Sequence, residues 1–407
     1  MRRVVVTGIG IVSPLGCDLT LASARLRANE HGIAPMPEWD GIGHFAPRVA
    51  APVVVPQALE IPHKAARTMG RVAQLATVAT TLAVRDAALG PDEFADGTIG
   101  VAYGSTHGSS HANEEWVRKL VKQNGFLGMS STTYLKFMSH TTAANLATHF
   151  GVRGRVICTS AACVSATQAI GHGFEAISAG LADVMMCGGA EELHFSHVAV
   201  FDMLHAASKA FNTTPELTPR PFDQRRDGLV VGEGAGTLVL EEYERAKRLG
   251  KRIYAEIIGF GTNCDGTHVT NPSSDGMRGA MELALASARC GPEAIDYVNA
   301  HATGTTIGDI AESQATYAVF GDRVPVSSLK GHLGHTLGAC GALEMAFLIS
   351  MLREGWIAPT RNLEVVDERC APLDYVMGEA RPASLSRVIC NKFAFGGINT
   401  SLVISAI

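Results

Sequence analysis

The 407-residue sequence is poor in charged and aromatic side chains, and it has no long apolar run. Charged residues make up 18% of the chain and aromatic residues 6%, whereas hydrophobic residues make up 46%. This balance excludes an intrinsically disordered chain and indicates a large buried core. No apolar run reaches about 18 residues, so we expect no membrane span. A formal net charge of −5 gives no sign of binding to nucleic acid or to an anionic membrane.

The nine cysteines form no Cys-x-x-Cys pair and no Cys/His group at zinc spacing. This absence argues against a zinc module, and we expect no metal. An odd number of unpaired cysteines is typical of reduced thiols, so we expect a cytoplasmic protein. The opening Met1–Val6 superficially resembles an export signal, but Thr7, Gly8 and Gly10 interrupt its apolar run. We therefore predict a buried first strand.

Short β-branched runs alternate with longer segments rich in alanine and leucine. The runs Arg3–Val6 and Ala255–Phe260 are predicted strands, and Ala66–Ala88, Ser165–Ala179 and Gly338–Leu352 are predicted helices. This alternation is typical of an α/β architecture in which helices cover sheets.

Two strands of similar sequence suggest that the chain consists of two halves. An apolar strand begins at Arg3 and another at Arg252, and each ends in a pair of glycines. The charged stretch Glu242–Arg252 lies between them. We therefore predict an N-terminal half over residues 1–248 and a C-terminal half over residues 249–407.

Cys163 is the candidate nucleophile because small residues surround it and leave room for a substrate. The strand-like Val156–Ile157 precedes it, and a helical stripe of apolar residues follows at Ile170, Phe174 and Ile177. Cys163 should therefore lie at a strand-to-helix turn, near the N-terminus of the helix. Free N–H groups and the partial positive charge of that terminus are expected to lower the pKa of the thiol and to stabilise an oxyanion.

Two histidines in chemically suggestive surroundings follow far downstream. His301 ends a predicted strand and opens a loop rich in glycine and threonine, and His335 lies among glycines. Neutral imidazoles beside an acyl-cysteine could donate N–H groups to a thioester carbonyl and stabilise an enolate. His332 is a competing candidate on spacing alone.

Lys330 lies in a glycine-rich apolar setting, where a buried ammonium needs a carboxylate partner. We predict Glu312 as that partner. Asp309 and Glu312 are three residues apart and should share one face of a helix or turn. A solvated surface pair is the alternative.

At this point the chain resembles the β-ketoacyl-[acyl-carrier-protein] synthases, the elongating condensing enzymes of fatty-acid and polyketide synthesis. The resemblance runs nearly end to end as an ordered set of motifs: Val4–Gly16, the Cys163 turn, Arg220–Gly236, Asn299–Thr305, Lys330–Glu344 and Asn391–Asn399. It implies a thiolase-like fold in which two similar α/β halves stack as five layers (α-β-α-β-α).

The resemblance also implies the reaction and its partners. An acyl chain would pass from the phosphopantetheine of an acyl carrier protein to Cys163, and malonyl-carrier protein would lose carbon dioxide and attack it. The product would be a β-ketoacyl chain two carbons longer. No cofactor bound by the enzyme itself is expected. The family is usually homodimeric, and a heterodimer with a ketosynthase-like partner is the other arrangement.

Roles for individual residues follow from the same resemblance. His301 and His335 would bind the malonyl thioester, Lys330 paired with Glu312 would tune the charge near them, and Glu344 would be a buried polar support. The backbone N–H groups of Cys163 and Phe395 would form the oxyanion hole, and Phe395 would gate the acyl channel. Thr303 and Thr305 would bind the pantetheine arm.

The sequence departs from the family pattern at Val164, Ala302, Ala394 and Ile398. These positions concern backbone shape and pocket lining rather than reacting atoms. They favour a specialised synthase, such as one for polyenes or polyketides, without changing the reaction class.

A cationic surface would suit an acidic carrier protein. Lys64, Arg67 and Arg71 are spaced so that a helix would present them as one stripe. An ordinary solvated helix face is the alternative, and Arg118, Lys119 and Lys122 form a weaker second candidate.

Two other functions remain open from the sequence. A chain-length-factor-like partner subunit usually lacks the nucleophilic cysteine, and a thiolase acting on acyl-CoA needs a second catalytic cysteine late in the chain. Cys390 is late, but it lies in a strand-like run before Asn391 rather than in a Cys-x-Gly loop.

Overall fold

The computed structural model describes residues 1–407, and eleven of its fifteen strands form one large mixed sheet. The strands are β1 (Val4–Val12), β2 (Ala34–Pro35), β3 (Val49–Ala50), β4 (Ile99–Gly104), β5 (Val156–Thr159), β6 (Val184–Glu191), β7 (Gly234–Glu242), β8 (Ala255–Cys264), β9 (Tyr297–Asn299), β10 (Pro325–Ser327), β11 (Trp356–Ile357), β12 (Asp374–Tyr375), β13 (Arg381–Pro382), β14 (Arg387–Ala394) and β15 (Ile398–Ser405).

The α-helices cover this sheet. They are α1 (Leu19–Arg27), α2 (His63–Ala66), α3 (Arg71–Asp86), α4 (Pro91–Ala95), α5 (Ser110–Gln123), α6 (Ser131–Phe137), α7 (Thr141–Phe150), α8 (Ser165–Ser178), α9 (Phe195–Met203), α10 (Tyr243–Arg248), α11 (Ser274–Ala288), α12 (Thr306–Phe320), α13 (Lys330–Leu333) and α14 (Cys340–Glu354). None of them combines the length and the apolarity needed to cross a bilayer.

The same succession of strands occurs twice. The N-terminal strands lie in the order β1-β7-β6-β4-β5, and the C-terminal strands in the order β8-β15-β14-β9-β10. In each set the first two pairings are antiparallel and the last two are parallel. A short antiparallel pairing of β1 with β8 joins the sets. The two similar α/β halves that the sequence predicts are therefore present.

Helices from both halves form the layers around these strands. Helix α3 packs on β1 and β7, and α11 packs on β8 and β15. Helices α8 and α14 contact each other and also contact strands of both sets, so they form the middle layer. This is the five-layered thiolase-like arrangement, and its central layer carries the apolar core around Ile170 and Phe347.

The paired glycines that suggested a repeat are the positions where the outer helices approach the strands most closely. A Cβ on Gly10 would lie 2.0 Å from the backbone oxygen of Ala79 in α3. A Cβ on Gly261 would lie 2.3 Å from the backbone oxygen of Ala280 in α11. Strand β1 consequently runs through its glycines to Val12, fully buried, and is longer than the predicted Arg3–Val6.

The predicted helix Ala66–Ala88 is present as α3 over Arg71–Asp86, and its later start corrects the sequence interpretation. Helix α2 ends at Ala66, and α3 begins at Arg71 after Gly70, whose backbone is extended. A Cβ on Gly70 would lie 2.2 Å from the Cβ of Ser109. The chain breaks here because tertiary packing requires close approach at Gly70, which the local apolar pattern does not reveal.

Candidate active site

Cys163 lies between β5 and α8, in a short 3-10 turn over Ala162–Val164. Ala162 has a left-handed φ of 47°, and the Ser165 hydroxyl accepts from the N–H of Ala161 and donates to the oxygen of Ala162. This tight turn presents the buried sulfur near the start of α8, as predicted. The N–H of Cys163 donates to no other backbone group, so it is free for a ligand.

His335 is held by its backbone. Its N–H donates to the oxygen of Val230 at 2.7 Å, and its oxygen accepts from the N–H of Gly232 at 2.9 Å. The preceding Gly334 has φ +65°, and a Cβ there would lie 2.8 Å from the Cβ of Ala51, so only glycine fits. The fixed backbone places Nε2 of His335 2.9 Å from the sulfur of Cys163.

His301 follows β9, and its ring lies nearly perpendicular to that of His335, with 5.1 Å between the centroids. One ligand atom from each of Cys163, His301 and His335 lies within 4.8 Å of the others. The structure thus brings together three side chains that are up to 172 positions apart in the chain.

Glu312 has a different role from the one predicted. Its carboxylate accepts from the N–H of His301 and from the N–H of Ala302, each at 2.6 Å, and it does not pair with Lys330. Asp309 accepts from the N–H groups of Thr303 and Gly304. Both carboxyls lie on α12, as the three-residue spacing predicts, and both are buried, so the solvated pair is excluded. They hold the loop that carries His301.

Burial raises the pKa of these two carboxyls. The pKa of Glu312 rises to about 8 and that of Asp309 to about 6. Burial disfavours the charged form more than the backbone N–H bonds favour it.

The partner of Lys330 is Glu344, which corrects the predicted pair with Glu312. The ammonium of Lys330 donates to Oε1 of Glu344, and both side chains are fully buried. A second buried lysine, Lys392, lies 3.1 Å from Oε2 of the same carboxylate. Burial opposes ionisation of Glu344, but the two lysines hold its pKa below the ordinary value.

Lys392 is a residue that sequence reasoning missed. It stands on β14 beside Asn391, and this strand is buried from Val388 to Phe393. A lysine in a fully buried strand position is a signal in itself, because such residues are almost never buried unless they are paired.

Burial lowers the pKa of His301 and of His335 well below the ordinary value, and Lys330 lowers both further. Both imidazoles are therefore neutral at neutral pH. Nδ1 of each ring is buried and has no hydrogen-bond partner. Two neutral rings with unused polar atoms can each donate one N–H to a ligand.

The expected lowering of the Cys163 pKa is wrong. Burial raises the pKa of this thiol, and the nearby Cys340 raises it further. The penalty for burying a thiolate outweighs the attraction of Lys330. The resting side chain is therefore a thiol, and its proton must leave as the sulfur attacks.

A single cavity connects these groups with solvent and encloses about 1000 Å³, part of it open. Thr303, Thr305 and Phe395 line it, as predicted, together with Cys163 and both histidines. The apolar side includes Phe201, whose ring centroid lies 5.6 Å from that of Phe395. Sequence reasoning did not identify Phe201, because nothing local distinguishes it from a core phenylalanine.

Two other sequence candidates lie elsewhere. Both ring nitrogens of His332 contact backbone oxygens, those of Glu30 and Pro359, so this ring supports the fold. The predicted cationic stripe does not form, because the chain breaks between α2 and α3. Arg71 instead forms an ion pair with the buried Glu233 at 2.6 Å.

Lys64 and Arg67 remain exposed, at the end of α2. The weaker candidates Arg118 and Lys119 are each paired with a glutamate one helical turn earlier.

A metal ion does not suit this site electrostatically, although its ligand atoms are close together. Lys330 and Lys392 place two positive charges beside it and only one carboxylate, Glu344, compensates them. A divalent cation would add to a surplus of buried positive charge.

A thiolase-like fold with one thiol and two neutral imidazoles around a single cavity defines a condensing enzyme. Residues 1–246 match the family "Beta-ketoacyl synthase, N-terminal domain", and residues 254–364 match "Beta-ketoacyl synthase, C-terminal domain". The chain belongs to the β-ketoacyl synthase family and is an acyltransferase of the condensing type.

Individual relatives agree with this assignment along the whole chain. The 3-oxoacyl-[acyl-carrier-protein] synthase 1 of Haemophilus influenzae is 36% identical over 404 residues, covering 99% of this chain and 98% of the relative. A β-ketoacyl synthase from Burkholderia phymatum STM815 superposes with a TM-score of 0.97 at 49% identity, covering 100% of both chains. A type II PKS ketosynthase solved in complex with its acyl-carrier protein superposes with a TM-score of 0.92 at 29% identity, covering 100% of this chain and 99% of the other.

Proposed function

We propose that this enzyme condenses an acyl group held on Cys163 with malonyl-acyl-carrier protein and elongates a fatty-acid or polyketide chain. The observation that carries the proposal is the grouping of the sulfur and both imidazoles within 4.8 Å of one another. A protease-like Cys-His site needs only one imidazole as a base. Two neutral rings suit an enolate, whose developing oxyanion needs N–H donors.

The first half-reaction transfers the acyl group. Nε2 of His335 is the acceptor for the thiol proton as the sulfur attacks the carrier protein thioester. The backbone N–H groups of Cys163 and Phe395, both without a backbone acceptor, stabilise the oxyanion. The phosphopantetheine thiol leaves with the proton, so the resulting acyl-enzyme is balanced.

The second half-reaction makes the carbon–carbon bond. His301 and His335 donate N–H groups to the malonyl thioester carbonyl. Loss of carbon dioxide from the malonyl group then forms the enolate. The enolate carbon attacks the acyl-cysteine carbonyl, and the released thiolate recovers a proton from solvent. Lys330 favours the anion electrostatically, and Glu344 keeps Lys330 paired and in place.

The rest of the cavity suits a long substrate. The hydroxyls of Thr303 and Thr305 lie 3.1 Å apart on its wall and can hold the amide-rich pantetheine arm. Phe395 is half-buried against Phe201 and can gate the apolar side where the acyl chain lies.

The test is to incubate the enzyme with a panel of acyl carrier proteins that carry chains of different length and unsaturation. Intact-protein mass spectrometry should show the gain of one acyl group per chain, and malonyl-carrier protein should then discharge it as a β-ketoacyl product. The extent of acylation across the panel ranks the acyl chains as substrates. A protein that never becomes acylated by any carrier would refute the proposal.

The two alternatives are disfavoured by the cavity itself. A chain-length-factor-like subunit has no use for a nucleophile, and this cavity contains one. A thiolase needs a second cysteine at the same site, but Cys163 is the only cysteine on the wall, and Cys390 is buried on β14. Gel filtration combined with an activity assay of the chain alone separates a self-sufficient enzyme from a subunit that needs a partner.

A homodimer is the assembly that the surface supports. Strand β5 is an edge strand with exposed Val156 and Cys158, and unpaired edges favour pairing with another copy. The segment between α5 and α6 also exposes Phe126 and Leu127. We expect the purified chain to elute at twice its monomer mass; a monomer with full activity would contradict this.

Lys64 and Arg67 are the proposed docking residues for the acidic carrier protein. Reversing both charges with Lys64→Glu and Arg67→Glu should raise KM for carrier substrates about tenfold at low salt and leave kcat unchanged. The difference should shrink as salt rises. Arg118→Glu is the control, because Arg118 is already paired with Glu114; an equal effect there would rule out a specific surface.

Two further proposals concern the boundary between the halves and the cellular location of the enzyme. The boundary between the halves is proposed at residues 248/249, at the end of α10, between the two repeated strand sets. A cytoplasmic enzyme with reduced thiols is proposed from the nine free cysteines.

A further inference from the structure

Lys392 is a fully buried cation that the proposed reaction does not yet use. Its ammonium donates to the side-chain oxygen of Asn299 at 2.8 Å and to the backbone oxygen of Asn391 at 2.7 Å. It also contacts the sulfur of Cys390 at 3.2 Å and Glu344 at 3.1 Å. Four contacts at full burial fix this ammonium in one place.

The charges around it do not balance. Lys330 and Lys392 are two cations, and Glu344 is the one carboxylate that pairs with both. Glu312, the other nearby carboxyl, accepts from the backbone N–H groups of His301 and Ala302 and forms no ion pair with either lysine, and burial raises its pKa to about 8. A buried surplus of one positive charge is costly to keep, so it calls for a reason.

That reason lies in the two imidazoles close by. Lys392 contacts Asn299, two residues before His301, and the ring centroid of the adjacent Phe393 lies 6.2 Å from that of His301. Lys392 lowers the pKa of His301 and of His335, in addition to burial and Lys330. A positive charge nearby opposes protonation of an imidazole and attracts a developing anion. Both effects serve a step that needs neutral N–H donors and forms an enolate.

We propose that Lys392 is a positioning residue for the condensation: together with Lys330 it maintains a surplus positive charge near the His301–His335 pair, which helps to keep both rings as neutral donors and favours the enolate. This inference rests on the proposed function and adds a second cation to it.

The groups that face Lys392 come from every neighbouring element. Cys390 lies on the same strand, Tyr297 lies on β9, and Cys340 lies with Glu344 on α14. Lys330 begins α13, Glu312 lies on α12, and the two rings complete the set. Tyr297, Cys340 and Cys390 have a raised pKa because of burial and are neutral, so the lysines and Glu344 determine the local charge.

The experiment measures the pH dependence of malonyl-carrier-protein decarboxylation in a charge cycle. Lys392→Met lowers the surplus by one, Glu344→Gln raises it by one, and the double variant restores it. Removing positive charge raises the pKa of the two imidazoles. The acidic limb of the pH–rate profile for decarboxylation should therefore move up by about one pH unit in Lys392→Met. It should move down in Glu344→Gln and return close to wild type in the double variant.

The rate supplies a second readout. At neutral pH, Lys392→Met should lower kcat for decarboxylation about tenfold, while acylation of Cys163 by acyl-carrier protein is retained. Lys251→Met is the matched control, because this lysine donates to the oxygens of Ala87 and Ala88 at the end of α3, outside the cavity. Lys251→Met should leave the acidic limb of the pH profile at its wild-type position.

Opposite movements of the limb cannot come from loss of packing, which would impair both single variants alike. Limbs that do not move, or that move in the same direction, overturn the inference while the proposed function stands. If Lys392→Met does not fold, Lys392→Gln takes its place, because it also removes the charge but keeps a donor for the side-chain oxygen of Asn299; an acidic limb that does not move in this variant overturns the inference. A wild-type enzyme that acylates Cys163 but never decarboxylates malonyl-carrier protein overturns both proposals.

Discussion

Cys163→Ala is expected to abolish the acyl-enzyme and to lower condensation by at least about 1000-fold. The reason is that Cys163 provides the only thiol on the cavity wall, 2.9 Å from the imidazole that takes its proton. Alanine removes the nucleophile and leaves the turn intact, because Ser165 and the backbone hold it. Intact-protein mass spectrometry after incubation with acyl-carrier protein measures the loss.

The matched control is Cys340→Ala. Cys340 is also buried, and its thiol donates to the backbone oxygen of Cys163 at 3.3 Å, but it does not line the cavity. This variant should still gain one acyl group. A mass gain that persists in Cys163→Ala and disappears in Cys340→Ala would show that the nucleophile is Cys340 and not Cys163.

His301→Ala is expected to separate the two half-reactions. Self-acylation should be retained, because His335 and not His301 contacts the sulfur in a hydrogen bond. Decarboxylation of malonyl-carrier protein should fall by about 100- to 1000-fold, the usual effect of removing one donor to an oxyanion, or about 2.7–4 kcal/mol. Mass spectrometry follows the first step, and release of carbon dioxide follows the second.

His268→Ala is the control for this pair of assays. His268 lines the mouth of the same cavity and is exposed, so its loss should change both steps by only a few-fold. If His301→Ala abolished self-acylation and spared decarboxylation, the role assigned to His301 would be wrong.

Much of the fold could be predicted because its signals are local. The pairs of glycines in β1 and β8 predict two similar halves, and the structure explains them by the close approach of α3 and α11. The start of α3 at Arg71 rather than at Ala66 could not be predicted, because it depends on the close approach of Gly70 to Ser109. Local periodicity contains no information on that contact.

The site shows the same division. Cys163, His301 and His335 could be chosen from their surroundings, because small residues and glycine-rich loops leave room for a ligand. The partner of Lys330 could not, because α12 and α14 each offer a buried carboxylate. In the structure, Glu312 accepts from the backbone N–H of His301, whereas Glu344 forms the ion pair with the buried lysines.

The sequence by itself determined which side chains are available for chemistry and, through periodicity and glycine placement, the α/β halves that carry them. Only the tertiary structure decided how the buried charges pair, because ion pairs are made between segments far apart in the chain. It also decided the protonation of the reacting groups. Whether a helix terminus or burial dominates at Cys163 depends on how completely the fold removes water, and here burial wins.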